Sequence, residues 1–159
     1  MTIPLPDAAR IFVVDDDEAV RDSIKILLEV HGFKVEDFTS TGEFAKGYCK
    51  PPRGCLILDQ HLPVTTGLDF LKSPAGRGLD IPVILITGQG DPKMEQRARD
   101  AGVAEYLQKP IARNLLLSTV ERVLDENASA KSSAARLAAG RPRGSFEPAP
   151  TSCVRPSCP

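Results

Sequence analysis

The sequence predicts an α/β protein: a doubly wound, five-stranded parallel sheet of (βα)₅ form, followed by a disordered tail. Three observations predict it. Short β-branched apolar runs alternate five times with longer amphipathic stretches between about residues 10 and 124, which is the pattern of strands joined by crossover helices. The apolar runs are continuous, as they are in parallel strands covered on both faces. The 159 residues, 42% hydrophobic and 26% charged, supply material for one domain core.

The elements follow in order. Residues 11–14, Ile-Phe-Val-Val, read as a buried strand. Residues 18–31 read as a helix, with Val20, Ile24, Leu27, Leu28 and His31 on one face and Gly32 as its stop. Residues 33–38 form the second strand, and residues 41–48 a short helix capped by Ser40 or Thr41. The third strand, residues 55–58, is ended by Asp59, and residues 66–72 make the third helix. Residues 83–86 are the fourth strand, with Pro82 at its edge. Asp91-Pro92 opens the fourth helix, with Asp as N-cap and Pro at the first helical position, and Ala101-Gly102 closes it. Residues 105–107 are the fifth strand, and residues 115–124 the last helix, with Leu116, Val120 and Val123 on one face.

The domain expected from this pattern spans residues 9–126, after an N-terminal extension at 1–8. Residues 127–159 open with a low-complexity Ala/Ser stretch and then carry five prolines and little bulky apolar material. Such a segment cannot bury enough surface to offset its ordering entropy and is expected to be disordered. Charge divides at the same place. Residues 1–126 carry 15 Lys and Arg against 20 Asp and Glu, and residues 127–159 carry five against one. An acidic domain with a basic tail follows, and a solvated tail accounts for the basic charge without direct DNA binding. No run reaches the roughly 18 apolar residues of a membrane helix. The N-terminus lacks a basic start and an apolar core, so it is no secretory signal and a cytoplasmic location is expected. Cys49, Cys55, Cys153 and Cys158 have no CxxC spacing, and the histidines are His31 and His61 alone. Neither a zinc site nor a disulfide framework is expected.

In doubly wound sheets, ligands sit beyond the carboxyl ends of the strands. Here those ends carry Asp15-Asp16-Asp17, Asp59, Thr87-Gly88 and Lys109-Pro110. Carboxylates converging on one edge repel one another, and a hard divalent cation such as Mg²⁺ relieves the repulsion. A carboxylate can also act as a nucleophile toward phosphorus. A lysine, a threonine hydroxyl and backbone N–H groups then neutralise the transferred oxygens.

The segments Val13-Val14-Asp15-Asp16-Asp17-Glu18, Leu58-Asp59-Gln60-His61-Leu62-Pro63, Ile86-Thr87-Gly88 and Gln108-Lys109-Pro110 resemble the receiver domain of two-component response regulators. The resemblance runs in order from about Arg10 to Leu124, and Thr87 to Asp91 (Thr-Gly-x-Gly-Asp) is similar to the FixJ-type branch. It implies a flavodoxin-like fold and a phosphorylation-controlled switch. Asp59 would be the phosphoacceptor. Asp15, Asp16, Asp59 and the backbone carbonyl of His61 would hold Mg²⁺. Thr87 would bond the phosphoryl group, Lys109 would pair with it, and Lys109-Pro110 would be cis. Thr87 and Tyr106 would be the switch pair. The His61 imidazole is expected to face solvent; His61 and Gln89 stand where the family tunes dephosphorylation, and Leu62 stands where Met is usual.

The implied donor is a sensor histidine kinase or a phosphotransfer protein, and the implied output is an unnamed downstream protein. A phosphorylation-dependent homodimer is a further partner. The FixJ-type branch usually continues into a helix-turn-helix domain that residues 127–159 do not contain. The alternatives are therefore a phosphorelay intermediate, or a transcriptional regulator truncated before its DNA-binding domain. The only chemistry expected is the domain's own phosphorylation and dephosphorylation, rather than turnover of an external substrate. Two rivals share parts of the site. An aspartyl-phosphatase of the haloacid-dehalogenase class needs a second Asp where His61 stands. A flavin carrier needs a Ser/Thr/Gly-rich phosphate loop where Asp15-Asp16-Asp17 stands, and those carboxylates repel a phosphate.

Overall fold

The structure, a computed structural model, describes residues 9–51 and 53–139, the side chains of 128–139 excepted. It contains β1 (Arg10–Val14), α1 (Glu18–Val30), β2 (Lys34–Phe38), α2 (Thr41–Gly47), β3 (Gly54–Asp59), α3 (Gly67–Lys72), α4 (Pro74–Arg77), β4 (Val83–Thr87), α5 (Pro92–Asp100), β5 (Glu105–Gln108) and α6 (Arg113–Ala139). The strands form one sheet in the order β2-β1-β3-β4-β5, and every pair is parallel.

Alternate strand residues build two cores. Ile11, Val13, Ile57, Ile84 and Ile86 face Ile24 and Leu28 of α1 and Leu116, Val120 and Val123 of α6. Phe12, Val14, Leu56, Leu58 and Leu85 face Phe44 of α2, Leu68 and Phe70 of α3, and Ala98 of α5. β3 is buried along its whole length, which explains its unbroken apolar run.

Ser40, Asp91 and the glycine stops act as the sequence indicates, while Thr66, read there as the first helical residue, is the N-cap of α3. The Asp17 carboxylate accepts from the Ala19 and Val20 N–H groups at the start of α1. Ser40 caps α2 and Thr66 caps α3. Asp91 accepts from Met94 N–H at 2.7 Å, with Pro92 opening α5. Gly32 after α1 and Gly102 after α5 take positive φ, 93° and 86°, a region open to glycine because it lacks Cβ.

Four further differences from the sequence reading appear. α1 ends at Val30, and His31 is its exposed C-cap rather than part of the apolar face. Arg21, a charged residue of α1, is buried because its guanidinium meets Asp37 and the Asp15 carbonyl. An unexpected turn of helix, α4, follows α3 directly. Ser73 ends one and begins the other, donating to Phe70 O while its Oγ accepts from Gly76 N–H. Lastly, the helical backbone of α6 runs on to Ala139, past residue 127 where disorder is expected. The added stretch is rich in alanine and free of Gly and Pro until Gly140, so nothing local interrupts the helix. Residues 140–159, the extension 1–8, Cys153 and Cys158 lie outside the described residues. Among the described residues no helix is long and apolar enough to cross a membrane.

Candidate functional site

Strand register assembles the site. Val14 pairs with Leu58, so Asp15 and Asp59 follow from adjacent strands. Asp59 pairs with Ile86, which brings Thr87 one residue beyond it. Thr87 pairs with Gln108, and Lys109 follows. The backbone bond from Lys109 N–H to Thr87 O, 2.7 Å, closes the last step. The site sits where the strand order reverses, between β1 and β3, the topological switch point of such sheets.

Asp15 and Asp59 are buried, at 2% and 4% exposure, while Asp16 is exposed. One carboxylate oxygen from each of the three lies within 4.8 Å of the others. Lys109 Nζ stands 3.0 Å from Asp15 Oδ2 and 3.6 Å from Asp59 Oδ1. Burial works against the lysine's charge, but Asp15 and then Asp59 outweigh it and raise the ammonium's pKa. Burial, reinforced by the Asp15 charge, raises the Asp59 pKa, with Lys109 and the His61 N–H pulling the other way. His61 N–H donates to Asp59 Oδ1 at 3.3 Å, and Asp17 N–H to Asp15 Oδ1 at 2.9 Å. Three carboxylates against a single ammonium leave net negative charge on hard oxygen donors, and this donor set fits Mg²⁺. The Lys109–Pro110 peptide is cis.

Thr87 is fully buried. Its hydroxyl is hydrogen-bonded to His61 Nε2 at 3.0 Å and accepts from Gln89 N–H at 3.1 Å. His61 is exposed, as the sequence reading expects, yet its ring also reaches the hydroxyl: β3 and β4 are neighbours, and their exit loops bring Nε2 onto Thr87. Tyr106 on β5 packs partly buried against the second core.

Sequence reasoning missed three supporting residues. Arg21 ties the end of β1 to Asp37 on β2, donating to Asp15 O at 2.8 Å and to Asp37 Oδ2 at 3.1 Å. Gln60 is buried, and its Oε1 accepts from Leu68 N–H at the start of α3. Gly67 lets α3 approach the site: a Cβ there would stand 2.8 Å from Asp59 O and 2.9 Å from Leu85 Cδ1. An arginine at a helix's i+3 position after an acidic turn, and a glycine opening a helix, are faint signals that only the packing makes specific.

The sequence model of the response regulator receiver domain matches residues 11–121. The chain belongs to the response regulator receiver family. FixJ of Azorhizobium caulinodans, a transcriptional regulatory protein, is 35% identical over 124 residues, covering 78% of this chain and 59% of that protein. The chain thus spans about three fifths of that relative's length. The solved structure of the response regulator StyR superposes with a TM-score of 0.73 at 33% identity, covering 83% of this chain and 67% of that one. The beryllofluoride-activated NtrC4 receiver domain dimer superposes with a TM-score of 0.66 at 27% identity, covering 74% and 98%. As a receiver, the domain accepts a phosphoryl group and switches a signal. Receivers are signalling domains that use Mg²⁺ at an acidic pocket and work with histidine kinases, and this receiver has such a pocket.

Proposed function

We propose that this chain is a cytoplasmic receiver that takes a phosphoryl group onto Asp59 from a histidine kinase or phosphotransfer protein. The phosphorylated form then changes its affinity for a downstream protein. The observation that carries this reading is the convergence of a buried Asp59 carboxylate, two further carboxylates within 4.8 Å and the Lys109 ammonium at 3.6 Å.

In this reading, an Asp59 oxygen attacks phosphorus, and the bond to the donor's imidazole nitrogen breaks with its electron pair leaving on that nitrogen. Asp15, Asp16, Asp59 and the His61 carbonyl are the residues that would hold Mg²⁺, which supplies charge neutralisation to the transferred oxygens. Lys109 stands ready to leave its carboxylate partners for the phosphoryl group. Thr87 brings a hydroxyl to the same group, and Tyr106 on the neighbouring strand responds to its movement. Hydrolysis of the aspartyl phosphate returns the free carboxylate, so the chemistry stays within the domain.

An apolar groove between α1 and α6, lined by Val20, Ile24, Leu27, Ile111 and Leu116, opens beside Lys109. It supports a protein as the phosphodonor. The activated NtrC4 dimer supports a homodimer on phosphorylation as the arrangement to look for. DNA contact is not part of the reading.

The test is intact-mass spectrometry after incubation with acetyl phosphate. Mg²⁺, EDTA and Asp59→Asn are the comparisons. One phosphoryl adduct that needs both Mg²⁺ and Asp59 is expected. An adduct that survives Asp59→Asn refutes Asp59 as the acceptor. If no adduct accumulates, beryllofluoride decides: absence of Mg²⁺-dependent binding rejects the reading.

A further inference from the structure

The Tyr106 hydroxyl is buried and has no hydrogen-bond partner among the described residues. The Asp91 backbone N–H is near enough to favour the phenolate but does not reach hydrogen-bonding geometry. A buried hydroxyl left unpaired loses the hydrogen bonds that water would give it, so something else must favour this pose. The ring tip lies against Gly90. A Cβ on residue 90 would overlap the Tyr106 hydroxyl and stand 3.2 Å from both Tyr106 Cζ and Thr87 Cγ2. A Cβ on neighbouring Gly88 would meet nothing within 4 Å.

Neither glycine has a positive φ; among the described glycines only Gly32 and Gly102 do. Backbone conformation therefore does not require glycine at position 90, and what a side chain would lack there is room. One small volume is shared by the α-carbon of Gly90, the methyl of Thr87 and the tip of Tyr106.

We propose that Gly90 is the positioning residue of the switch. Its missing side chain is the seat that admits Tyr106 inward against Thr87, so that movement of Thr87 is felt by the ring. A methyl group at position 90 turns the ring outward, away from Thr87. This deepens the switch reading given above and rests on it for its signalling consequence, though the seat itself is a property of the unphosphorylated fold.

The chain has two tyrosines, Tyr48 and Tyr106, so labelling with 3-fluorotyrosine gives two fluorine environments, assigned with Tyr106→Phe. In Gly90→Ala, the Tyr106 resonance should gain the H₂O/D₂O isotope shift of an exposed ring, and beryllofluoride with Mg²⁺ should no longer move it. Gly88→Ala should leave the resonance where it is. Melting temperatures supply the second arm. Removing the hydroxyl with Tyr106→Phe should cut the destabilisation caused by Gly90→Ala to about half or less, as for two residues in direct contact.

An unchanged Tyr106 resonance in Gly90→Ala overturns the proposal. So do equal penalties in the two backgrounds, or a beryllofluoride response that Gly90→Ala preserves. If the seat arms succeed while beryllofluoride moves nothing in the wild-type protein, the switch reading of Thr87 and Tyr106 fails. The positional claim about Gly90 then stands without its signalling role.

Discussion

At the scale of single residues, the carboxylate of Asp59 faces two conflicting demands. Its nucleophilicity requires the charged form, while burial and the Asp15 charge favour the neutral one. The native state therefore binds a proton at Asp59 more readily than the unfolded chain does. Stability linked to that proton is fully present below the ordinary carboxylate range and is lost as pH rises through the raised native pKa. Asp59→Asn, which is neutral throughout, should be more stable than wild type at neutral pH, with the gain shrinking as the pH is lowered toward 4. Urea titrations at several pH values measure this, and a gain independent of pH would contradict it. For Lys109→Ala, phosphoryl uptake should fall about 10²-fold, the scale of losing one preorganised electrostatic partner; stopped-flow uptake from a small phosphodonor checks it. The His61–Thr87 bond competes with the phosphoryl group for the same hydroxyl. His61→Ala should tighten beryllofluoride binding about fivefold, the value of a hydrogen bond of about 1 kcal/mol. Equal affinities would mean that the imidazole does not restrain Thr87.

At the scale of elements, local signals and packing signals separate. Asp91-Pro92 marks the start of α5 because a cap and a fixed φ are properties of those two residues. Asp91→Ala should cost about 1 kcal/mol of stability, measurable by chemical denaturation. The α4 turn carries a similar signal in Ser73-Pro74, yet it is only four residues long and adjoins α3 without a break. A helix that short has no hydrophobic period to read; its existence depends on Gly76, where a Cβ would meet Phe70 O and the Leu71 backbone. The far end of α6 shows the opposite case. An Ala/Ser run reads as low complexity by composition, while its intrinsic propensity favours a helix once one has been nucleated upstream.

At the scale of the whole molecule, the two cores explain why strand register is so well specified. A slip of one residue in β3 would exchange Leu56 and Leu58 for Cys55 and Ile57 across the sheet, and would carry Asp59 away from Asp15. Phe44 anchors the second core, in edge contact with Phe12, Phe38 and Phe70. Phe44→Ala should destabilise by about 3–5 kcal/mol, read from the shift of the denaturation midpoint, even though the residue is outside the phosphoryl site.

Residue patterns along the chain specify the strand order, five of the six helices, the caps at Ser40 and Asp91, and the set of groups that gathers at the strand ends. Each of these follows from local periodicity, or from the rule that parallel strands all deliver their carboxyl ends to one edge. Only the tertiary structure decided which partners those groups choose. Asp15 shares Lys109 with Asp59, His61 turns onto Thr87, Arg21 is buried between β1 and β2, and Gly90 makes room for Tyr106. These contacts join residues far apart in the chain. Their direction depends on strand register and on the space left by neighbouring side chains, and no periodicity along one segment encodes either.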